Sequence, residues 1–125
     1  GGTSWSQVEK FRNSDESRIR ISSHFSDWGI PTADSVREIC VAFPGFPVIA
    51  SGGIRKGLDI AKSIALGASL SGIAGAFLKA ASHSSEAAVN LIDEIILELK
   101  ITMFAVGAAN ILDLHNTPLL RRENH

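Results

Sequence analysis

Two glycine turns carry the chemistry that can be read in this chain: Ser51-Gly52-Gly53-Ile54-Arg55, and Ala74-Gly75 about twenty residues later. Glycine adopts positive φ and lets a guest approach the backbone where a Cβ would obstruct it. Gly53, Ile54 and Arg55 are expected to present consecutive amides to an anion, with the Arg55 guanidinium available for charge-assisted bonds. A tight turn with no ligand is the plain alternative for one glycine pair. A second turn of the same kind after the next strand favours a shared phosphate cradle. Thr3 and Ser4 offer hydroxyls on a neighbouring loop, or else a polar cap for a helix over residues 5–12.

No catalytic set accompanies these turns. The four histidines, His24, His83, His115 and His125, lack the paired spacing of a metal site. Asp27, Asp59 and Asp113 form no obvious acid pair, and no Ser-His-Asp arrangement with a nucleophile elbow occurs. Cys40 is the single cysteine. It lies on the apolar helix face Val36, Ile39, Cys40 and Phe43, which marks it as a small core residue rather than a nucleophile. One cysteine excludes an internal disulfide framework and suits a reducing compartment, so a soluble, cytoplasmic protein is expected. No apolar run approaches the ~18 residues of a spanning helix, so a membrane is not an expected partner. With 12 basic and 13 acidic side chains and no basic patch interleaved with aromatics, nucleic acid is not one either.

The elements that must position the turns follow from periodicity. Val48-Ile49-Ala50 and Leu70-Ser71-Gly72-Ile73 are short apolar runs typical of buried parallel strands. Leu58, Ala61, Ile64, Ala65 and Ala68 recur at helical spacing between them, and Gly67 stands where a left-handed cap is needed. Residues 46–81 therefore read as strand, glycine turn, helix, strand, glycine turn, helix. A helix over 33–43 precedes this unit, with Thr32 as its cap and Pro44-Gly45-Phe46-Pro47 as its stop. After it, Ser84 and Ser85 start a long helix. The wide stripe of Leu91, Ile92, Ile95, Ile96 and Leu99 is expected to pack on an outer wall. Gly107 breaks the pattern, residues 110–114 suggest a further helix, and 121–125 a frayed end.

Alternating parallel strands and helices define an α/β fold, and the preferred arrangement is the carboxyl-terminal portion of a TIM (β/α)8 barrel. In such barrels the loops after the last strands grip phosphate with backbone N–H groups and a helix amino terminus. A complete barrel needs about 250 residues, so 125 residues read as part of one. Gly1-Gly2-Thr3-Ser4-Trp5 begins as a loop, as if just after a strand. The whole of 1–125 is taken as one partial barrel. Residues 6–31 form a polar, irregular excursion on its active-site face, and burial of Trp5 and Trp28 is expected to anchor it.

At GGTSW (1–5), WGIPT (28–32), SGGIRKGLD (51–59), ALGA (65–68) and IAGAFLKAA (73–81), the chain resembles the carboxyl-terminal part of type 2 isopentenyl-diphosphate isomerases. SGGIR followed by ALGA is shared by many FMN barrels, whereas GGTSW and WGIPT in this order are much more specific. The resemblance implies an FMN-dependent TIM barrel that interconverts isopentenyl and dimethylallyl diphosphates with reduced FMN, Mg²⁺, and NADPH as reductant. It implies that Thr3 contacts FMN and that Gly52, Gly53, Ile54, Arg55, Ala74 and Gly75 hold its phosphate. Substrate and metal ligands are expected outside these residues, and a homo-oligomer is the expected assembly. A 2-hydroxy-acid oxidase type of FMN barrel is a rival, but it normally has an acidic residue where Ser51 precedes the glycines. An IMP dehydrogenase type would need a reactive cysteine loop. A non-catalytic half-barrel that binds phosphate is the alternative from another class.

Overall fold

The computed structural model describes residues 4–12 and 15–118. In chain order the elements are α1 (Trp5–Arg12), α2 (Glu16–Ser23), α3 (Thr32–Ala42), β1 (Ile49–Ser51), α4 (Gly57–Ala65), β2 (Leu70–Gly72), α5 (Gly75–His83) and α6 (Ser85–Val106). A 3₁₀ helix over Ile111–Asn116 follows. β1 and β2 pair in parallel with Ile49 opposite Leu70, Ala50 opposite Ser71 and Ser51 opposite Gly72. Parallel pairing requires a crossover between the strands, and α4 provides it. The strand–helix–strand–helix reading of 46–81 is thus what the chain adopts, although closure into a barrel is not seen among the described residues.

Two apolar clusters hold this unit together. Val36, Ala50, Ile54 and Ala68 are buried between α3, β1 and α4, with Cys40, Val48, Ile60, Leu66 and Ile73 packed around them. Ala61 and Ile64 on α4 meet Leu114 of the 3₁₀ helix in the second, with Leu99 and Met103 of α6 against them. Small residues allow these layers to approach. A Cβ built on Gly57 would stand 2.5 Å from both the Ile95 carbonyl oxygen and the Leu99 nitrogen, so the start of α4 lies directly on the α6 backbone. Gly67, at φ +111°, turns the chain out of α4 beneath the half-buried Cys40 side chain.

Several expectations need correction. Residues 16–23 are helical, not irregular: Asp15 caps α2 by accepting from the Ser17 N–H at 2.9 Å, and α1 and α2 pack on one another. Trp28 is 83% exposed, touching the Phe25 ring edge-on at 5.8 Å, so burial of its indole does not anchor this region. The Trp5 side chain and the frayed end expected at 121–125 lie outside the described residues. Thr32 is the first residue of α3, not its cap, because Pro31 occupies the cap position and no side chain bonds the first turn. On α6 only the inner half of the expected stripe is covered. Ile95 is buried, whereas Ile92 and Ile96 face outward. The helix runs on to Val106, and Gly107, expected to break the pattern, ends it at φ +75°.

The Gly57 contact makes a direct test. Gly57→Ala must drive a methyl into main-chain atoms that cannot rotate away, and should cost about 3 kcal/mol, the upper end for overpacking. Gly107→Ala meets open space and only the left-handed penalty, about 1 kcal/mol. Urea unfolding midpoints of the two variants should fall in that order.

Candidate functional site

Because β1 and β2 run the same way and Ser51 faces Gly72, both strands end on the same side, and both glycine turns open there. They line a single cleft of about 660 Å³. One wall is Ser51 to Arg55; the other is Gly72 with Ala74, Gly75, Ala76 and Lys79. Gly52 and Gly53 hold φ of +102° and +75°, the region where a side chain would be strained. The candidate residues from Gly52 to Gly75 are therefore brought together. Thr3 lies outside the described residues. Ser4 serves α1, accepting from the Gln7 N–H at 3.4 Å and meeting the Ser6 hydroxyl at 3.0 Å.

The two helices that start at this cleft differ in what their N–H groups already hold. At α4 the Gly57 N–H donates to Glu98 Oε2 at 2.9 Å, a carboxylate reaching across from α6. The Arg55 N–H donates to Asp59 Oδ2 at 3.1 Å. The expected run of three free amides is accordingly shortened, since Arg55 can offer only its exposed guanidinium. At α5 the cap residue is Ala74, which has no side-chain acceptor, and the first intrahelical bond is from Leu78 to Ala74. Gly75 and Ala76 consequently keep their N–H groups unbonded among the described residues, as do Gly53 and Ile54 on the facing turn. The Ile54 side chain points the other way and is buried in the core, which fastens the turn while its backbone stays at the cleft.

Unpaired N–H groups at a helix start, glycines that admit close approach and flanking cations are the chemistry that suits an anion such as a phosphate. Lys79 is the residue that sequence reading missed. It stands four residues after Gly75, hence on the same face of α5 and over the same opening. That spacing was available in the sequence. Glu98 left no such trace, since it acts 41 residues away from the amide it caps. Histidine contributes nothing here: His24, His83 and His115 are all exposed and away from the cleft lining. Among the described residues no three or more His, Cys, Asp or Glu side chains gather into a metal site.

Parallel βα units with unbonded N–H groups where the strands end define an α/β protein with a candidate anion site. The profile of FMN-dependent dehydrogenases matches residues 4–121, and the chain belongs to that family. It is 52% identical over 114 residues to an isopentenyl-diphosphate delta-isomerase of Methanococcus maripaludis, covering 91% of this chain and 32% of the relative. A Stutzerimonas stutzeri protein of the same name is 47% identical over 121 residues, 97% of this chain and 35% of its own length. One from Rickettsia bellii is 47% identical over all 125 residues, 36% of its length. The chain thus spans about a third of the curated relatives it matches.

Removing the Glu98 cap tests the division between the two helix starts. Glu98→Ala should lower stability by about 1 kcal/mol, as loss of a helix cap does, seen as a lower urea midpoint. Binding of inorganic phosphate at the α5 side, followed by amide shifts of Gly75 and Ala76, should persist.

Proposed function

We propose that the cleft between the two glycine turns holds the phosphate of FMN. On this reading the chain is the FMN-phosphate part of a type 2 isopentenyl-diphosphate delta-isomerase with a TIM-barrel fold. The observation that carries it is the pairing of unbonded N–H groups at Gly53, Ile54, Gly75 and Ala76 across one opening flanked by Arg55 and Lys79. Family membership supports the flavin, and the relatives' names support isopentenyl and dimethylallyl diphosphate as the substrate pair.

The chain's own residues bind and orient. Backbone amides and the α5 dipole take the phosphate charge, and the two cations neutralise the remainder while staying in solvent contact. That fixes one end of the flavin against the strand ends, with Thr3 as a further contact. When bound, reduced FMN supplies proton transfer at the substrate's double bond with no net redox change, NADPH serving as reductant. Mg²⁺ is assigned to residues outside those described. Ile96, Ile101 and Phe104, apolar and exposed along α6, support a homo-oligomer. Cytoplasmic placement rests on the lone cysteine.

FMN should bind more tightly than riboflavin by at least about tenfold, because the two differ only in the phosphate that the cleft receives. Quenching of flavin fluorescence measures both. Lys79→Ala and Arg55→Ala should each weaken FMN several-fold, more at low salt, and leave riboflavin unchanged. Equal affinity for the two flavins would remove the phosphate reading. The purified 125-residue chain should bind FMN weakly and fail to convert isopentenyl diphosphate. Appearance of dimethylallyl diphosphate above the enzyme-free control would overturn that part.

A further inference from the structure

In an extended strand successive carbonyls point to opposite sides. At the end of β1 they do not: Thr32 Oγ1 lies 2.7 Å from the Gly52 carbonyl oxygen and 3.4 Å from that of Ser51. Both carbonyls turn toward one hydroxyl because Gly52, at φ +102°, breaks the alternation. The shorter contact takes the hydroxyl proton.

A trans peptide points its C=O and N–H in opposite directions, and every described peptide bond here is trans. Fixing the Gly52 carbonyl toward Thr32 therefore sends the Gly53 N–H away from Thr32. Thr32 lines two cavities on the helix side of the turn, one beside Val36 and Ser35 and one beside Asp59 and Lys62, and Gly52, Gly53 and Ile54 border the second as well as the cleft, so the turn is the wall between them. Thr32 takes no part in lining the cleft that Gly53 shares with Gly75. The helix that carries it, α3, packs on β1 through the buried Val36.

We infer that Thr32 is a positioning residue for the anion site: its hydroxyl locks the Gly52–Gly53 peptide with the Gly53 N–H facing the phosphate. This rests on the FMN-phosphate reading and adds to it a residue that never touches the ligand. It also accounts for a threonine at the first position of α3, where the helix makes no use of the hydroxyl. Without that bond the diglycine peptide is free to rotate and present its carbonyl to the anion.

Thr32→Val keeps the shape and removes the donor, whereas Thr32→Ser keeps the donor. The valine variant should lose about five- to tenfold in FMN affinity, the effect of one misdirected hydrogen bond, with riboflavin affinity unchanged. The serine variant should stay within about twofold of the unsubstituted protein. A valine variant that retains the full preference for FMN over riboflavin overturns the inference, as does a serine variant equally impaired. Absence of that preference in the unsubstituted protein overturns the phosphate site itself and is a separate result. The ¹⁵N–¹H resonance of Gly53 gives a measurement that needs no variant. It should shift on addition of inorganic phosphate together with those of Gly75 and Ala76. A Gly53 signal that stays fixed while the other two move overturns the role of Thr32.

Discussion

The parallel pairing of β1 with β2 is the constraint on which the rest depends. Three residues on each side make a weak ladder, and such a pair has little independent stability. Its register nevertheless decides everything at the cleft. With Ser51 opposite Gly72, the chain leaves both strands at the same level and enters two helices side by side. A slip by one residue would turn Ala50 out of the core and separate the glycine turns. The register is held from outside the sheet: Ala50 and Ala68 are buried and small, and Ile54 beyond the strand plugs the same cluster. α4 is held in turn by its contact with α6 at Gly57.

Two helix starts in one place pose an electrostatic problem, since each carries a partial positive charge and unpaired N–H groups. The protein answers it differently at each. Glu98 and Asp59 supply internal carboxylates to Gly57 and Arg55, so the α4 side is already neutralised. At α5 the cap is an alanine, and nothing in the described chain occupies the role of the anion. One seat is therefore left open beside one that is closed. On the proposed reading, this asymmetry is what would draw a single phosphate to the α5 start, with Gly53 and Ile54 completing the seat from the facing turn.

What the sequence made legible was local. Positive φ requires glycine, so Gly52, Gly53 and Gly67 announced their turns directly, and the 3.6-residue spacing gave α4 and α6. Misread features share a long-range partner or a missing one. Thr32 before a helix looks like a cap, and only the fold shows its hydroxyl spent on a carbonyl 20 residues away. Glu98 carries no local signal, since the amide it accepts from lies 41 residues away. The stripe on α6 is expected to face inward, but covering is a property of neighbours, and the described elements leave Ile92 and Ile96 over 40% exposed. Trp28 fails for the same reason: a large ring is buried only where something packs over it.

The uncovered side of the sheet extends this argument from the site to the larger fold. Side chains alternate across a strand, so Ala50 faces the helices while Ile49 and its partner Leu70 face the opposite way. They are 66% and 61% exposed, on a parallel sheet of a type that is normally buried on both faces. The helix-side face is complete within these residues; the other is not. Backbone groups that grip a phosphate need only the strand ends and the helix starts, all of which this chain supplies. A flavin ring extending over the strand ends would also need the apolar surroundings that further strands provide. The relatives have about three times this length, in which such strands can be accommodated. On the proposed reading, anchoring the phosphate and enclosing the ring are thus separable tasks, and Ser51–Arg55 with Ala74–Lys79 would serve the first.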